Sequence, residues 1–247
     1  MTLSAIARSV GSMAYDEWRI APDVVVWRVT GDDPCSDRVT RILPDGCLDV
    51  LVVDGRPVVA GPDTAARVHE GDADEVLGVR LHAGRGPALL GVPADELRDQ
   101  TLPLAALWGD RRAGDLADRV TSPRDLGEWA LSESAPDPLG LRLHALLDEG
   151  ASISGAADLL GYGPRQLHRR ALPVFGYGLQ HLGRVLRLNR AVAVADSGAD
   201  WAEVAAHTGY ADQAHLTRDF RALAGVTPGG LRAERVRSVQ ASEEAAA

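Results

Sequence analysis

The pattern of apolar and polar positions divides the chain into two parts. Between residues 20 and 82, short apolar runs such as Val50–Val53 and Val58-Val59 alternate with Gly, Pro and Asp. Such runs predict strands, and the intervening Asp54-Gly55 is typical of a hairpin turn. From Gly86 onward leucines recur among polar residues, which indicates helices. The pattern therefore predicts an α+β chain: a β-rich N-terminal domain with flanking helices, followed by an all-α domain.

Proline-rich and polar segments divide the helical part of the sequence. Helices are predicted over residues 113–120 and 123–132 of the N-terminal domain. The segment Ser132–Pro138 is polar and contains two prolines, so it predicts a domain boundary. Start and stop signals beyond it predict seven helices, over residues 139–149, 153–160, 164–172, 179–197, 201–208, 212–224 and 228–236. We therefore predict an N-terminal domain over 1–135, a C-terminal domain over 139–237 and a disordered tail over 238–247.

A repeat in the all-α part indicates that one structural unit occurs twice. Three positions recur 48 residues later and three more recur 49 residues later, namely Ala157, Gly161 and Tyr162, then Leu167, Arg169 and Gly176. Each copy contains a short helix, a turn with glycine and a second helix. This is the plan of a helix-turn-helix, so the repeat predicts two such units in one domain.

Charge is distributed unevenly along the chain, whose formal net charge is −9. Residues 1–138 contain 14 Arg against 24 Asp and Glu, whereas residues 151–237 contain 11 Arg against 7 acidic residues. An acidic part joined to a basic part fits a sensor attached to a DNA-binding module. No apolar stretch approaches the roughly 18 residues of a membrane helix, and we recognise no secretory signal, so we expect a cytoplasmic protein without a membrane partner.

Several strings in the all-α part resemble the DNA-binding domain of the AraC/XylS family of transcriptional regulators. They are Ala156-Ala157-x3-Gly161-Tyr162, Arg187-Leu188-x2-Ala191, Val204-Ala205-x3-Gly209-Tyr210-x-Asp212-Gln213-x-His215-Leu216-x-Arg218-x-Phe220 and Gly225-Val226-Thr227-Pro228. The resemblance covers residues 139–233 and implies a protein that binds double-stranded DNA, with a homodimer and contact to RNA polymerase as expected partners. The first copy departs from the family pattern, because Ala171 stands where a bulky apolar residue is usual.

The N-terminal part is similar to a sensor-like domain that precedes such modules in actinobacterial regulators. The similarity is carried by Leu43–Asp49, Ala60–Thr64 and Leu89–Pro93. No ligand is assigned to that domain, so the resemblance supports the architecture and leaves open whether a small-molecule effector binds.

The second helix of each unit is the expected recognition helix, which enters the major groove and contacts base edges. Residues one turn apart at its exposed front reach the bases. In the two units these are Arg165, His168 and Arg169, then Gln213, Ala214, Thr217 and Arg218. Arg can bond guanine, Gln can pair with adenine, and the Thr methyl can contact thymine. The two recognition helices differ, so one chain is predicted to bind an asymmetric site with its two elements about 10 bp apart.

Other arginines are candidates for phosphate contacts, which position a protein on DNA without specifying sequence. These are Arg170, Arg184, Arg187, Arg190, Arg221 and Arg232. An alternative remains open for the arginines of the linking helix. One of them could pair with Asp196 or Glu203 instead, and so brace the two units against each other.

The N-terminal domain has little recognisable chemistry. Cys47 is the one candidate nucleophile, but Asp45 and Asp49 beside it should disfavour the thiolate. The same two aspartates, with His69 or His82, could form an acid/base or metal site. No spacing in the sequence brings those groups together, so we predict no catalytic residue, no metal and no cofactor. We expect the tryptophans, Trp18, Trp27, Trp108 and Trp129, to belong to the core rather than to a ligand pocket.

These observations predict a sequence-specific transcriptional regulator that is not an enzyme. Its N-terminal domain would sense a small molecule and its C-terminal domain would bind a promoter. Two alternatives stay open at this point. The N-terminal domain could serve only to dimerise or to bind a protein partner, or the chain could be a cysteine-based acceptor enzyme fused to a DNA-binding domain.

Overall fold

The computed structural model describes residues 5–10, 13–31, 39–70, 75–82 and 84–235. Within these ranges the first part of the chain forms nine strands. They are β1 (Ala5–Val10), β2 (Met13–Ala21), β3 (Val24–Gly31), β4 (Val39–Ile42), β5 (Leu48–Val53), β6 (Arg56–Ala60), β7 (Arg67–Glu70), β8 (Glu75–Leu81) and β9 (Thr101–Pro103). Seven strands form one antiparallel sheet in the order β1-β2-β3-β8-β5-β6-β9, and β4 pairs with β7 in a separate small sheet.

The two faces of the large sheet have different characters because side chains alternate along each strand. Val26, Val50 and Val79 are fully buried on one face. Helices cover that face: α1 (Arg85–Leu90), α2 (Ala105–Trp108), α3 (Asp110–Arg119) and α4 (Pro123–Glu133). The close approach of α4 to the sheet requires Gly127, since a Cβ there would lie 2.4 Å from Cδ1 of Ile20. The opposite face carries polar and aromatic groups.

The second part of the chain is helical. Six helices are α5 (Pro138–Asp148), α6 (Ile153–Leu160), α7 (Pro164–Phe175), α8 (Leu179–Asp196), α9 (Trp201–His207) and α10 (Gln213–Ala224). A seventh, α11, begins at Pro228 and is described over residues 228–235. These helices enclose their own core, in which Leu167, Leu188, Leu216 and Phe220 are fully buried. The predicted α+β class and the seven-helix domain with two helix-turn-helix units are therefore confirmed.

The structure differs from the sequence prediction at several element boundaries. The sheet begins at Ala5 rather than near residue 20, because β1 and β2 combine polar with apolar residues and lack an apolar run. Helix α7 continues past the predicted end at Leu172 as far as Phe175, which is buried and packs into the core. The predicted disordered tail over 238–247 lies outside the described residues.

The two parts of the chain meet along an interface with direct hydrogen bonds. Asn189 of α8 donates to the carbonyl of Pro44 at 3.0 Å, and Ala66 donates its N–H to the carbonyl of Leu223 at 2.6 Å. Helix α4 ends at Glu133 and α5 begins at Pro138, so residues 134–137 form a non-helical connection within the segment predicted as a domain boundary. No helix in the described part of the chain is long and apolar enough to cross a membrane.

Candidate nucleic-acid interface

The first helix-turn-helix comprises α6 and α7. Helix α6 begins after Ser152, whose hydroxyl accepts a hydrogen bond from the N–H of Gly155 at 3.0 Å. It ends at Leu160, and the next residue, Gly161, has a φ of +72° that favours glycine. Helix α7 begins with Pro164, a residue suited to the first helical position because it needs no N–H partner there. These signals fix the turn between the two helices.

The second unit, α9 and α10, repeats this plan, and an aspartate caps the start of each of its helices. The carboxylate of Asp200 accepts hydrogen bonds from Ala202 and Glu203 at the start of α9. Asp212 does the same for His215 at the start of α10, at 2.6 Å. Both units are held together by α8, a helix of 18 residues and hence about 27 Å.

All seven residues predicted to contact bases lie on α7 or α10 and remain accessible. Six are exposed and Thr217 is half-buried: Arg165, His168, Arg169, Gln213, Ala214, Thr217 and Arg218. Leu167 and Leu216, which occupy equivalent positions on the opposite sides of these helices, are fully buried. Each recognition helix therefore packs into the core with one face and exposes its other face to solvent. The base contacts themselves stay predictions.

The arginines predicted to contact phosphate fall into two groups. Arg170 and Arg221 are exposed, and the Arg170 guanidinium lies 5.2 Å from the Tyr162 ring centroid. The others are partly buried and already have protein partners. Arg190 donates to the carbonyls of Leu147 and Asp148, and Arg232 donates to those of Ala195 and Ala199. Arg184 and Arg187 form ion pairs, so only the first group is unobstructed.

The alternative in which an arginine of the linking helix pairs with Asp196 or Glu203 is wrong. Arg184 and Arg187 pair with Asp219 of α10, with closest N–O distances of 2.9 and 3.6 Å. Asp196 instead pairs with Arg235, and Arg190 pairs with Asp148. A brace between the linking helix and a unit does exist, but its carboxylate lies within the recognition helix itself. Sequence reasoning missed Asp219 because an acidic residue in an amphipathic helix ordinarily faces solvent.

Two further arginines that sequence reasoning missed come from the N-terminal domain. Arg41 of β4 donates to the carbonyl of Ala224, the last residue of α10, at 3.0 Å, and pairs with Glu234 at 2.9 Å. Arg98 donates to the carbonyl of Gly176, which directly follows α7, at 3.2 Å. A cation is favourable where the unpaired carbonyls of a helix end. The N-terminal domain thus holds both recognition helices by their C-terminal ends.

The candidate reactive groups of the N-terminal domain occupy a buried position beside this interface. The thiol of Cys47 lies 3.1 Å from Nδ1 of His82, whose ring packs edge-on against His144 of α5. Burial, with the nearby charge of Asp45, raises the pKa of Cys47, and burial lowers the pKa of His82 to about 4. Both groups are therefore held neutral near pH 7. A neutral buried thiol is a poor nucleophile.

The polar face of the sheet contains a network around Arg80. Its guanidinium pairs with Asp45 at 2.9 Å and with Asp49 at 3.5 Å. Burial raises the pKa of Asp49 to about 6, although Arg80 opposes the rise. The indole of Trp27 donates to Asp49 at 3.3 Å and stacks on Tyr15. Trp27 therefore belongs to this face, whereas Trp129 belongs to the core as predicted.

The sites that sequence reasoning considered in this domain are only partly assembled. The structure brings Asp45 and Asp49 together through Arg80, whereas His69 is exposed on β7. In the part of the chain that the structure describes, no group of three or more His, Cys, Asp or Glu side chains could hold a metal ion.

This geometry defines the class of protein. Two helix-turn-helix units on one linking helix, with both recognition helices accessible, form a double helix-turn-helix DNA-binding domain. Comparison with protein families agrees: residues 156–234 match a helix-turn-helix domain, and residues 24–103 match a domain of unknown function, DUF6597. The chain carries an AraC-type helix-turn-helix domain behind a DUF6597 domain, an architecture that supports a DNA-binding transcriptional regulator.

The solved structures that match this chain are distant from it in sequence. An apo ToxT variant from Vibrio cholerae is 10% identical, with 95% of this chain and 98% of that chain covered and a TM-score of 0.45. The C-terminal domain of AraT, a response regulator from Geobacillus stearothermophilus, is 22% identical over 40% of this chain and 87% of that one, with a TM-score of 0.38. CdpR from Pseudomonas aeruginosa is 17% identical, covering 90% and 72%, with a TM-score of 0.34. Comparison with the curated proteins gives no match.

Proposed function

We propose that this protein binds one asymmetric DNA site through both recognition helices, and that its N-terminal domain regulates this binding in response to a small molecule. The observation that carries the first part is the exposure of the two unlike recognition faces on one domain. The first face offers two arginines and a histidine. The second offers Gln213, Ala214, Thr217 and Arg218, a different set of donors and apolar groups. Different faces favour different base sequences.

The contacts of Arg41 and Arg98 support the regulatory part of the proposal. They join the N-terminal domain to the ends of α10 and α7 that are opposite the base-contacting residues. A change in the N-terminal domain would therefore move both recognition helices without covering either of them. A ligand acts on such an equilibrium only through different affinities for two arrangements. We infer that the effector changes the distance between the two arginines that hold the helices.

The alternatives have less support. A cysteine-based acceptor would need an accessible thiolate, whereas Cys47 is buried and the pKa of its thiol is raised. A purely dimerising N-terminal domain would not require hydrogen bonds to both recognition helices. The localisation we propose, in the cytoplasm, follows from access to DNA, and a homodimer and contact with RNA polymerase remain part of the proposal.

Selection from random DNA tests the DNA-binding proposal. We expect the full chain to enrich one sequence with two unlike elements about 10 bp apart from centre to centre. Enrichment can be followed by sequencing the bound pool over successive rounds. A homodimer would repeat this pair of unlike elements. Enrichment of a site built from a single kind of element would contradict the proposal that each chain uses two different recognition helices.

The double variant Arg41→Ala/Arg98→Ala tests the regulatory contacts. We expect its affinity for the selected site to fall about fivefold or more, because the recognition helices lose a fixed arrangement, and coupling of this kind is typically worth that much. Fluorescence anisotropy with labelled DNA measures the change. Arg124→Ala is the control, since Arg124 is an exposed arginine of the N-terminal domain that pairs with Glu128, one turn along α4. An affinity equal to that of the control would exclude a role for these contacts.

A further inference from the structure

Asp219 is an acidic residue on the buried side of a recognition helix. It lies on α10 between Leu216 and Leu223, at the three- and four-residue spacings that place all of them on one face. Only 7% of its surface is exposed. A buried carboxylate is retained at low cost only when charged partners and hydrogen bonds compensate it. Its partners therefore indicate what it does.

The partners of Asp219 come from the linking helix. The Arg184 guanidinium approaches Oδ1 through Nε at 3.1 Å and Nη2 at 2.9 Å, and Arg187 approaches Oδ2 at 3.6 Å. Arg184 and Arg187 are one turn apart on α8, so they contact the carboxylate of Asp219 from two positions along that helix. Two arginines on one carboxylate restrict both the position and the rotation of α10 relative to α8.

Arg187 extends the same contact to the turn of the second unit. Its guanidinium lies over the Tyr210 ring, 4.9 Å from the centroid, and donates to the carbonyl of Gly209 at 3.4 Å. The Tyr210 ring in turn packs edge-on against His215 in the first turn of α10. The brace therefore fixes α10 at its middle and at its N-terminal end, the end that enters the DNA groove.

The first unit is held differently at the equivalent positions. The residue that corresponds to Asp219 by the 49-residue offset is Arg170, which is exposed. Arg170 lies over the ring of Tyr162, which is the counterpart of Tyr210. The arginine that packs on Tyr162 therefore belongs to the recognition helix α7, whereas the arginine that packs on Tyr210 belongs to α8. Among the described residues, the arginine-carboxylate brace to α8 is confined to the second unit.

We propose that Asp219 is a positioning residue that sets the angle at which α10 enters the DNA, by holding it to the linking helix through Arg184 and Arg187. The proposal rests on the proposed function. It makes base discrimination by α10 depend on a carboxylate that does not itself contact DNA. Discrimination among bases depends on fixed side-chain geometry in the groove. Loss of the brace should therefore affect the half-site that α10 contacts and leave the other half-site unaffected.

The test compares base discrimination at the two half-sites for Asp219→Asn in the full chain. The selected DNA site is altered at one half-site at a time, and the half-site of α10 is the one at which Arg218→Ala loses discrimination. We expect Asp219→Asn to reduce discrimination at that half-site about tenfold or more, which is within the range of one bidentate base contact. Discrimination at the half-site of α7 should stay within about twofold, as expected for independent sites.

Two controls separate positioning from a loss of stability. Asp196→Asn makes the same chemical change in the exposed pair with Arg235 and should leave discrimination at both half-sites intact. Partial unfolding lowers the amount of active protein and weakens binding to every sequence by the same factor, so it does not alter discrimination. Asp219→Glu restores the carboxylate and should recover part of the lost discrimination.

Several results would overturn the positioning role of Asp219. Asp219→Asn with normal discrimination at both half-sites, or with equal loss at both, overturns it. If Asp219→Asn does not fold, Arg184→Gln is tested instead, because it retains the pair between Arg187 and Asp219. We expect this variant to weaken base discrimination at the half-site of α10 alone. Discrimination at that half-site equal to that of the unmutated protein overturns the proposal. An unmutated protein that enriches no sequence overturns the proposed function and the positioning role together, whereas a clear site with unaffected discrimination overturns the positioning role alone.

Discussion

The affinity of the full chain for its DNA site should fall steeply as salt rises. Each phosphate that an arginine neutralises releases a counterion, and the logarithm of affinity falls with a slope of about −0.9 per contact. If five of the six arginines predicted to contact phosphate do so, namely Arg170, Arg184, Arg187, Arg190 and Arg221, the slope is about −4.5. Raising salt from about 50 to 200 mM should then weaken binding roughly 500-fold.

The same titration tests how many of these arginines are available. Arg170 and Arg221 are exposed, whereas the three arginines of α8 are engaged with Asp219 or with carbonyls at the end of α5. A slope of about −2 would indicate that the three act only within the protein. Anisotropy measured over a series of salt concentrations gives the slope directly. A flat response would contradict the electrostatic part of the account.

Removal of a base-contacting arginine should relax specificity at one half-site only. Arg169 and Arg218 occupy equivalent positions of the two recognition helices, and both are exposed. We expect Arg169→Ala and Arg218→Ala each to lose about 1–3 kcal/mol of discrimination, each at a different base pair. The measurement is the affinity of each variant for a set of sites with single base-pair changes.

The control for this comparison is Arg221→Ala. Arg221 is exposed near the C-terminal end of α10, away from the end predicted to contact bases. As a phosphate contact it should affect all sequences about equally and reduce the salt slope by about one. If Arg169→Ala and Arg218→Ala also weakened all sequences equally, the assignment of these two residues to base contacts would be wrong.

Local signals in the sequence predicted the helix-turn-helix units closely. Glycines at 161 and 209, Pro164 and the capping residues define the turns, and α6 runs over the predicted residues. These signals act within a few residues of the boundary that they specify, so they can be recognised without a structure. The end of α7 was predicted too early because burial of Phe175, a tertiary effect, extends the helix past Pro173.

The contacts that connect the elements could not be predicted in this way. Arg184 and Asp219 are separated by 35 positions and Arg41 and Glu234 by 193, and no periodicity relates them. A brace through Asp196 or Glu203 was an open alternative to phosphate contact, whereas the structure shows the pairing with Asp219. The pairing with Asp219 depends on the angle at which α10 packs on α8, which is set by the whole buried core.

The central claim is that one chain binds an asymmetric site through two different recognition helices. The most direct test is selection from random DNA with the unmutated chain and with the double variant Arg169→Ala/Arg218→Ala, carried out in parallel. We predict that the unmutated chain enriches a site with two unlike elements about 10 bp apart, and that the double variant loses preference at one base pair in each element. Enrichment by the unmutated chain of a site built from one kind of element would contradict the claim, and unchanged base preferences in the double variant would contradict the base contacts assigned to Arg169 and Arg218.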